Sequence, residues 1–307
     1  EVTLEPMVLV AFLRSHYEDA FLVERLRALQ NSASSMGFEF EYVVGHRLTQ
    51  SWLTPNVAFK DLPLIKPFAK KLPAWCAGAT LRAFEPRLGR VAEPGADLHT
   101  WFHRQLARAR SAEAGADWGV MGKFPGRYAG PDFAMLVRVE GGAGAAGPAP
   151  PPIIALVLVQ VKLVSKVTAR VLKEACATVD PALLYHVNRV STRKAKAKVL
   201  EARRERQAAF MEALKSVPVI RMVVAAGGPS GKVKVARIKH GRAGAQFKED
   251  LLVVVAGKTA IHALFGARIG EAVAAIKSSR DDGEWPDLPE DGYDAAIESR
   301  EWDGVVV

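Results

Sequence analysis

Residues Ile153–Leu163 read IIALVLVQVKL, and this stretch decides the fold. A run that is apolar on both faces predicts a strand in the middle of a sheet, covered on both sides by helices. Gln160 and Lys162 are its polar residues, and residues two apart in a strand share one face. Because burial of an unpaired ammonium costs several kcal/mol, we expect Lys162 to face a cleft, to pair with an acid or to reach water from the strand end.

Helix and strand patterns alternate on either side of this strand. Upstream, helices are predicted over residues 15–30, 35–50 and 97–110, followed by strands over 118–123 and 133–139. Downstream, the patterns predict helices over 168–177, 191–216 and 259–277, strands over 217–226 and 251–256, and a glycine-rich basic loop over 227–242. The alternation predicts an α/β fold with a mixed central β-sheet flanked by helices.

Composition divides the chain into three parts. We expect residues 1–34 to form a helical extension, 35–279 to form one α/β domain, and 280–307 to be an acidic, poorly ordered tail. Inside the domain, the six prolines of 53–96 predict an irregular insert with short helical pieces. The Gly, Ala and Pro residues of 140–152 predict a flexible hairpin connection.

Charge is distributed unevenly along the chain. Its 307 residues include 42 Lys and Arg against 33 Asp and Glu, a net charge of +9. The tail 280–307 holds ten acids and two bases, so residues 1–279 carry a net charge of +17. A body this basic favours a polyanionic partner. The longest apolar run has seven residues, whereas a membrane helix needs about 20, so no membrane partner is expected.

An acid stands at the start of the preceding strand. Asp132 comes directly before the strand at 133–139, and the hairpin connection leads from there into Ile153–Leu163. If the two strands pair antiparallel, Asp132 lies beside Gln160 and Lys162. A carboxylate and a second oxygen donor hold a hard divalent cation, and a lysine orients or helps to deprotonate the attacking water. A phosphodiesterase needs this arrangement.

The order Pro131-Asp132 and then Gln160-Val161-Lys162 resembles the PD-(D/E)xK superfamily of restriction-endonuclease-like nucleases. Short motifs recur by chance, so the resemblance depends on the surrounding pattern of strand, hairpin and buried strand. That pattern is present in this sequence.

Two further segments extend the resemblance. Residues 37–44, GFEFEYVV, are similar to the G-x-x-F-E-x-x-V stretch on the first core helix of many such proteins, with Glu41 as its acid. Residues 177–181, ATVDP, fall where versions in fungal and oomycete mobile elements and in Crinkler-type effectors have similar segments. The resemblance covers residues 35–256 loosely.

The resemblance implies a fold, a cofactor and a reaction. The fold would be a restriction-endonuclease-like core. The cofactor would be Mg²⁺ or Mn²⁺, held by Asp132, Gln160 and the backbone carbonyl of Val161, with Glu41 reaching it directly or through water. Lys162 would position and activate the water that hydrolyses a phosphodiester bond, with DNA expected ahead of RNA as the substrate.

Gln160 departs from the acidic residue of the usual family pattern and leaves other functions open. A neutral ligand lowers the negative charge available to a cation, so the chain is alternatively a catalytically inactive relative that binds nucleic acid through its basic body. A third possibility is an interaction module whose acidic tail folds back over the basic surface. For Glu41, the alternative to a metal ligand is an ordinary exposed helix acid.

Two basic segments form the predicted nucleic-acid interface. Eight bases lie within residues 189–206, against Glu201 and Glu205, and others lie in the loop at 227–242. Such residues contact phosphates without reading sequence, although a charged helix face is equally the solvated surface of an ordinary protein. The residues assigned to nucleic-acid binding are Arg193, Lys194, Lys196, Lys198, Arg203, Arg204, Lys232, Lys234 and Lys239.

Other motifs do not complete a known site. Residues 227–232, GGPSGK, and 257–259, GKT, each lack part of the P-loop pattern, so neither predicts a nucleotide site. His99 and His103 have helical spacing, but they lack a third metal ligand and are expected on the polar face of their helix.

The cysteines favour an intracellular location. Cys76 and Cys176 are the chain's two cysteines, and they form no metal-binding or disulfide pattern. Cys176 is expected to be buried in its helix. The nucleus is one option for the location, and the oligomeric state stays open.

Overall fold

The computed structural model describes residues 23, 40–41, 43–45, 47–48, 57–82, 98–111, 122–123, 131–141, 153–164, 166–184, 196–227 and 231–275. Its strands are β1 Thr80–Arg82, β2 Gly122–Lys123, β3 Phe133–Glu140, β4 Ile153–Leu163, β5 Val219–Ala226, β6 Lys232–Lys239 and β7 Glu249–Ala256. Its α-helices are α1 Ala74–Ala77, α2 Leu98–Ser111, α3 Ala169–Thr178, α4 Lys196–Ala213, α5 Lys258–Phe265 and α6 Ala267–Ala275. Two 3-10 helices, Phe59–Asp61 and Lys66–Lys71, precede α1, and the described residues between 40 and 48 are helical.

The strands form one mixed sheet in the order β1-β3-β4-β5-β7-β6, with β2 paired to β3 off this path. Strands β4, β5 and β7 are parallel neighbours, whereas β3 and β6 pair antiparallel at their two sides. Helices pack on both faces of the sheet. This arrangement confirms the coarse prediction of an α/β fold with a mixed sheet flanked by helices.

Alternate residues of β4 belong to different halves of the core. Leu156 and Leu158 pack in the cluster that contains residues of α2, α3 and α4. Val157 and Val159 pack in the cluster that contains residues of α5, α6 and the helical segment at 40–48. We name these two sides of the sheet the α3 face and the α5 face. The even-numbered residues of β4 therefore lie on the α3 face.

The elements nearest the predicted site follow the sequence pattern closely. Strand β4 has the predicted bounds, and residues 155–161 are buried as a double-covered strand requires. Helix α3 begins after Thr168, whose hydroxyl accepts a hydrogen bond from the N–H of Val171 at 3.2 Å. This side-chain cap satisfies one of the free N–H groups of the first turn and fixes where the helix starts.

The proline-rich insert is more regular than predicted. Its described part, residues 57–82, supplies strand β1, which pairs with β3 through Leu81 and Val139. Phe59, Ile65 and Cys76 are fully buried against the α5 face. The prolines break helical periodicity, but the apolar residues between them still pack into the core. Residues 53–56 and 83–96 of the insert lie outside the described residues.

The prediction of a loop over 227–242 is wrong for residues 232–239, which form strand β6 at one edge of the described sheet. Their sequence KVKVARIK alternates charged or small residues with apolar ones, and Val235 is buried against β7. The basic residues and flanking glycines concealed this period-two pattern. Basic side chains are common on strands at sheet edges because charge there opposes pairing with another chain.

The helix predicted over 259–277 is two helices, α5 and α6. They separate at Gly266, whose φ of 82° lies in the left-handed region that favours glycine. A Cβ on Gly270 would lie 2.3 Å from the His262 ring, so only glycine allows the two helices to approach this closely. The apolar pattern continues across the break, which is why the sequence suggested one helix.

Several predictions fall on residues that the structure does not describe. The N-terminal extension is represented by Val23, which is helical and buried. The connection over 142–152 and the tail 280–307 lie outside the described residues, as do positions 118–121 of the early strand prediction. Among the described helices, none combines the length and the apolar character that a membrane crossing requires.

Candidate active site

Asp132 lies where β3 stops pairing with β4. The last pair of the ladder is Phe133 opposite Val159, and the N–H of Asp132 adds one more bond to the Val159 carbonyl at 2.9 Å. Beyond this point the Asp132 Oδ2 atom accepts a hydrogen bond from the backbone N–H of Val161 at 2.6 Å. The carboxylate thus replaces a backbone acceptor that another β3 residue would supply, and this bond fixes Asp132 beside the end of β4.

The Gln160 side chain fills the space next to this carboxylate. Its Nε2 atom donates to Asp132 Oδ2 at 2.5 Å and to the carbonyl of Val161 at 3.2 Å. Gln160 is 3% exposed, so both bonds form away from water, where an unsatisfied amide would be costly. The amide nitrogen therefore lies between two oxygens that the family resemblance assigns to a metal ion.

The residues present fit a hard divalent cation. Mg²⁺ and Mn²⁺ prefer oxygen ligands, and a half-turn of the Gln160 carboxamide would exchange its nitrogen for its oxygen. The Asp132 carboxylate, the Val161 carbonyl and the Gln160 amide oxygen would then all be available to one cation. Within the described ranges no group of three His, Cys, Asp or Glu side chains is placed to hold a metal, so a cation here depends on the amide and the carbonyl.

Burial and nearby charges change the pKa of the Asp132 carboxyl group. Burial, reinforced by the charge of Glu41, raises the pKa of Asp132 to about 6. The charge of Lys162 and the hydrogen bonds from Val161 and Gln160 act in the opposite direction. The structure therefore joins Asp132, Gln160 and Val161 by hydrogen bonds, and it places Glu41 and Lys162 near enough for their charges to act on Asp132.

Glu41 reaches this position from the helical segment at 40–48. Its neighbours Phe40, Val43 and Val44 are buried on the α5 face, and the Phe40 ring contacts the edge of Phe265 with centroids 6.3 Å apart. Glu41 itself is half-buried. The buried apolar residues hold this segment against the sheet. The position of Glu41 therefore depends on the packing of this segment and not on strand pairing.

Lys162 follows Gln160 on the α3 face of β4. It is half-buried, and its partner in the parallel ladder is Ala225 of β5. Sequence analysis left three environments open for this lysine: a cleft, an acidic partner or the water beyond the strand end. The ammonium is near enough to Asp132 for its charge to lower the pKa of that carboxyl group, so an acid lies in the surroundings of this lysine.

The predicted nucleic-acid-binding residues occupy two elements. Lys232 and Lys239 are exposed on β6, and Lys234 is half-buried there. Helix α4 contains Lys196, Lys198, Arg203 and Arg204. Arg193 and Lys194 lie outside the described residues. The structure therefore places three of these bases on a strand of the same sheet that carries the candidate site.

A buried ionic network on the α3 face was not predicted. Asp250, which is fully buried, accepts hydrogen bonds from Arg221 at 2.6 Å and from Arg242 at 2.5 Å. Arg221 also lies 3.3 Å from the Asp180 carboxylate. His240 lies 3.8 Å from Asp250, and burial lowers the pKa of its imidazole. Two carboxylates thus face two guanidinium groups in the core.

The network has a faint signal in the sequence. Arg221 interrupts the apolar strand VIRMVVAA as Lys162 interrupts β4, and Asp250 precedes the apolar run LLVVV. A charge inside a buried strand requires a partner, but the partner's identity depends on tertiary contacts that no local pattern gives. Arg221 lies opposite Leu158 of β4 and Leu252 of β7 in the parallel ladders. Leu158 is two residues before Gln160 on β4.

The prediction for His99 is wrong. His99 is 2% exposed and stacks on the Phe210 ring with centroids 4.5 Å apart, whereas His103 is exposed as expected. Phe210 of α4 also contacts Phe102 of α2, so helices α2 and α4 meet through an aromatic cluster. His99 therefore belongs to the core and does not face solvent.

Comparisons of the chain with protein-family models, with curated proteins and with solved structures find no match. The function must therefore be argued from the geometry of the site and from the charges around it.

Proposed function

We propose that the chain is a metal-dependent endonuclease that hydrolyses the phosphodiester bonds of nucleic acid, with DNA as the expected substrate. One observation carries the proposal: the Asp132 carboxylate binds both Gln160 and the N–H of Val161, with Glu41 and Lys162 near enough to act on its pKa. This set of groups on a hairpin and a nearby helix is what the PD-(D/E)xK resemblance leads one to expect.

Hydrolysis forms a P–O bond to the oxygen of water and breaks the P–O bond to the leaving sugar oxygen. The water gives up one proton and the leaving oxygen gains one, so the reaction is balanced without a redox partner. Lys162 is the cation beside Asp132, and its ammonium would orient the water and offset the negative charge that develops on the phosphoryl oxygens.

Asp132, Gln160 and the Val161 carbonyl would hold the divalent cation, with Glu41 in support. When bound, Mg²⁺ or Mn²⁺ supplies positive charge that stabilises the transition state of phosphoryl transfer. Burial of Asp132 strengthens these electrostatic effects because water screens them less in the core.

A second candidate function rests on the hydrogen bonds of Gln160. Its amide already satisfies both Asp132 and the Val161 carbonyl, as a cation would. A chain that keeps this arrangement would be a nuclease-like protein without catalysis that binds nucleic acid through its basic surface. Lys162 would then have no reaction to support.

Nicking of supercoiled plasmid in Mg²⁺ or Mn²⁺ separates the two candidates. The nuclease proposal expects metal-dependent nicking that EDTA abolishes and that Lys162→Ala reduces at least a hundredfold. A wild-type protein that shifts the plasmid on a gel but leaves it intact in both metals would overturn the nuclease and favour the binding protein.

Lys166→Ala is the matched control for this experiment. Lys166 is an exposed lysine just beyond the end of β4, so its removal changes the net charge equally. Assayed at saturating DNA, this variant should nick at the wild-type rate. Equal losses in both lysine variants would mean that general charge, rather than the position of Lys162, supports the activity.

A further inference from the structure

The 3-10 helix Lys66–Lys71 brings three lysines to the strand at the edge of the described sheet. Its sequence KPFAKK contributes Lys66, Lys70 and Lys71, which are all exposed. The helix packs against β6, and its Phe68 is half-buried against the apolar core of the α5 face. The apolar part of this helix therefore faces the sheet, and its bases face solvent.

Two bases of β6 lie on the same side of the sheet. Val233 and Val235 pack with the α5-face cluster, and residues two apart on a strand share a face. Arg237 and Lys239 continue this alternation, and both are exposed. They lie at the end of β6 where the ladder pairs Lys239 with Glu249.

A hydrogen bond directs the insert toward this end of β6. Trp75, which follows the 3-10 helix, donates its indole N–H to the carbonyl of Glu249 at 3.0 Å. The helix itself packs on β6, and the chain that leaves it reaches the ladder partner of Lys239. Two segments that are far apart in the sequence thus bring bases to one surface.

This cationic surface is defined by five exposed bases, Lys66, Lys70, Lys71, Arg237 and Lys239. One acid belongs to the same part of the described structure: Glu249, which lies 4.0 Å from Arg237. Asp250, the next residue, is fully buried with its own arginines. Five bases and one acid give the surface a net charge of +4.

The chemistry of the surface favours the phosphates of nucleic acid as its partner. Like charges gathered by the fold repel one another, and a polyanion removes that cost. Leu64, Ile65 and Leu72 beside the helix are buried, and the Lys71 ammonium lies over the Phe68 ring at 5.9 Å. The described surface therefore presents cations without the exposed large apolar side chains that favour insertion into a membrane surface.

We propose that the cationic surface is a second contact site for the phosphate backbone of nucleic acid, at the end of the sheet away from Asp132. The seven steps from Glu249 to Ala256 cover roughly 23 Å of β7 at about 3.3 Å each, and Ala256 is level with Lys162. The inference rests on the proposed function, which makes nucleic acid the partner, and it adds the lysines of the insert to the interface.

The salt dependence of DNA binding tests the cationic surface. Each phosphate contact adds about 0.9 to the slope of log K against log salt concentration, so replacing Lys66, Lys70 and Lys71 by Gln should lower the slope by about 2 to 3. The probe is a fluorescein-labelled duplex in EDTA, and binding is measured by anisotropy. A wild-type slope in this triple variant would overturn the proposal.

Two further variants separate the charge of the surface from folding and from net charge. Replacing the same three lysines by Arg should keep the wild-type slope, and a loss there would attribute the effect to packing and overturn the proposal. Lys70→Gln alone should lower the slope by about 0.9. Its matched control is Arg268→Gln, which removes one exposed charge from α6 and should leave the slope unchanged. Equal losses in these two single variants would also overturn the proposal.

The remaining outcomes distinguish the partner and the proposed reaction. Binding to phosphatidylserine vesicles that the triple Gln variant loses, with an unchanged DNA slope, would assign the surface to an anionic membrane instead. Because DNA binding is measured without metal, plasmid nicking with an unchanged slope would retain the nuclease and reject the surface. A reduced slope without nicking would retain the surface as part of a binding protein.

Discussion

Gln160 donates its amide to the Asp132 carboxylate at 2.5 Å, and the same nitrogen lies 3.2 Å from the Val161 carbonyl. An amide NH₂ group carries partial positive charge and so stabilises two converging oxygens, as a cation would. This relationship connects the two candidate functions, because the same residue either turns its oxygen toward a metal or takes the metal's place. The chemistry of the site therefore depends on residue 160.

Gln160→Glu should convert the site into a stronger cation site. The added carboxylate brings negative charge next to Asp132, and we expect affinity for Mn²⁺ to rise on the order of tenfold or more. Without metal the two carboxylates repel each other and the hydrogen bond is lost, so stability in EDTA should fall by about 1–3 kcal/mol. Calorimetric titration with Mn²⁺ and thermal unfolding with and without metal measure the two effects.

Gln246→Glu is the control for added charge, since Gln246 is exposed in the loop between β6 and β7. It should change neither Mn²⁺ affinity nor the stabilisation by Mn²⁺. If Gln160→Glu binds Mn²⁺ no more tightly than this control, the oxygens around Asp132 do not form a cation site.

Asp132 should make the metal-free protein less stable as pH rises. Its pKa is raised from 3.8 to about 6 in the folded protein, so the folded state holds this proton more tightly than the unfolded state does. The stability that this proton contributes is fully present below the unfolded pKa of 3.8 and is lost as pH rises through about 6, a total of about 3 kcal/mol, of which about 2 kcal/mol falls between pH 4.5 and 7.5. Urea unfolding in EDTA at pH 4.5 and 7.5, compared with Asp132→Asn, isolates this effect.

The stability of the wild type relative to Asp132→Asn should therefore decrease between these two pH values. Asp61→Asn serves as a control, because Asp61 is exposed on a 3-10 helix. Mn²⁺ should reduce the pH dependence of the wild type, since a cation competes with the proton for the carboxylate. A difference from Asp132→Asn that stays constant with pH would contradict the prediction.

The central part of the fold was predictable because local pattern and tertiary environment agree there. The bounds of β4 follow from one apolar run, and its pairing with β3 follows from the hairpin between them. Strand β6 was missed because it lies at the edge of the described sheet, where lysines replace the apolar residues of a central strand. The break at Gly266 was missed because both flanking helices bury the same type of residue.

The candidate site was predictable to a similar extent. The register of a hairpin brings Asp132 next to Gln160, and strand alternation adds Lys162 to the same face. The hydrogen bond from the Gln160 amide to the Val161 carbonyl could not be predicted, since it depends on the rotation of one side chain. The partners of Arg221 were equally out of reach, because Asp180 and Asp250 lie 41 and 29 residues away in the sequence.

Removal of the Asp250 carboxylate should destabilise the fold strongly. Asp250→Ala would leave Arg221 and Arg242 without their shared acceptor in the core, and we expect a loss of about 3–5 kcal/mol. The adjacent variant Glu249→Gln is the matched control, because its ion pair with Arg237 is partly exposed and should contribute less than about 1 kcal/mol. Urea unfolding of both variants measures the contrast, and similar small losses would mean that the network adds little to stability.

Both thiols should be inert in the native protein. Cys76 and Cys176 are fully buried, and burial raises the pKa of each thiol to about 12. Since the thiolate is the reactive form, neither should react with an aromatic disulfide reagent at pH 8, where an ordinary cysteine reacts readily. Two thiols should become titratable in concentrated guanidinium chloride. Rapid reaction of one thiol without denaturant would show that its side of the core opens locally, and replacement of each cysteine by Ser would identify whether it is the insert, through Cys76, or α3, through Cys176, that opens.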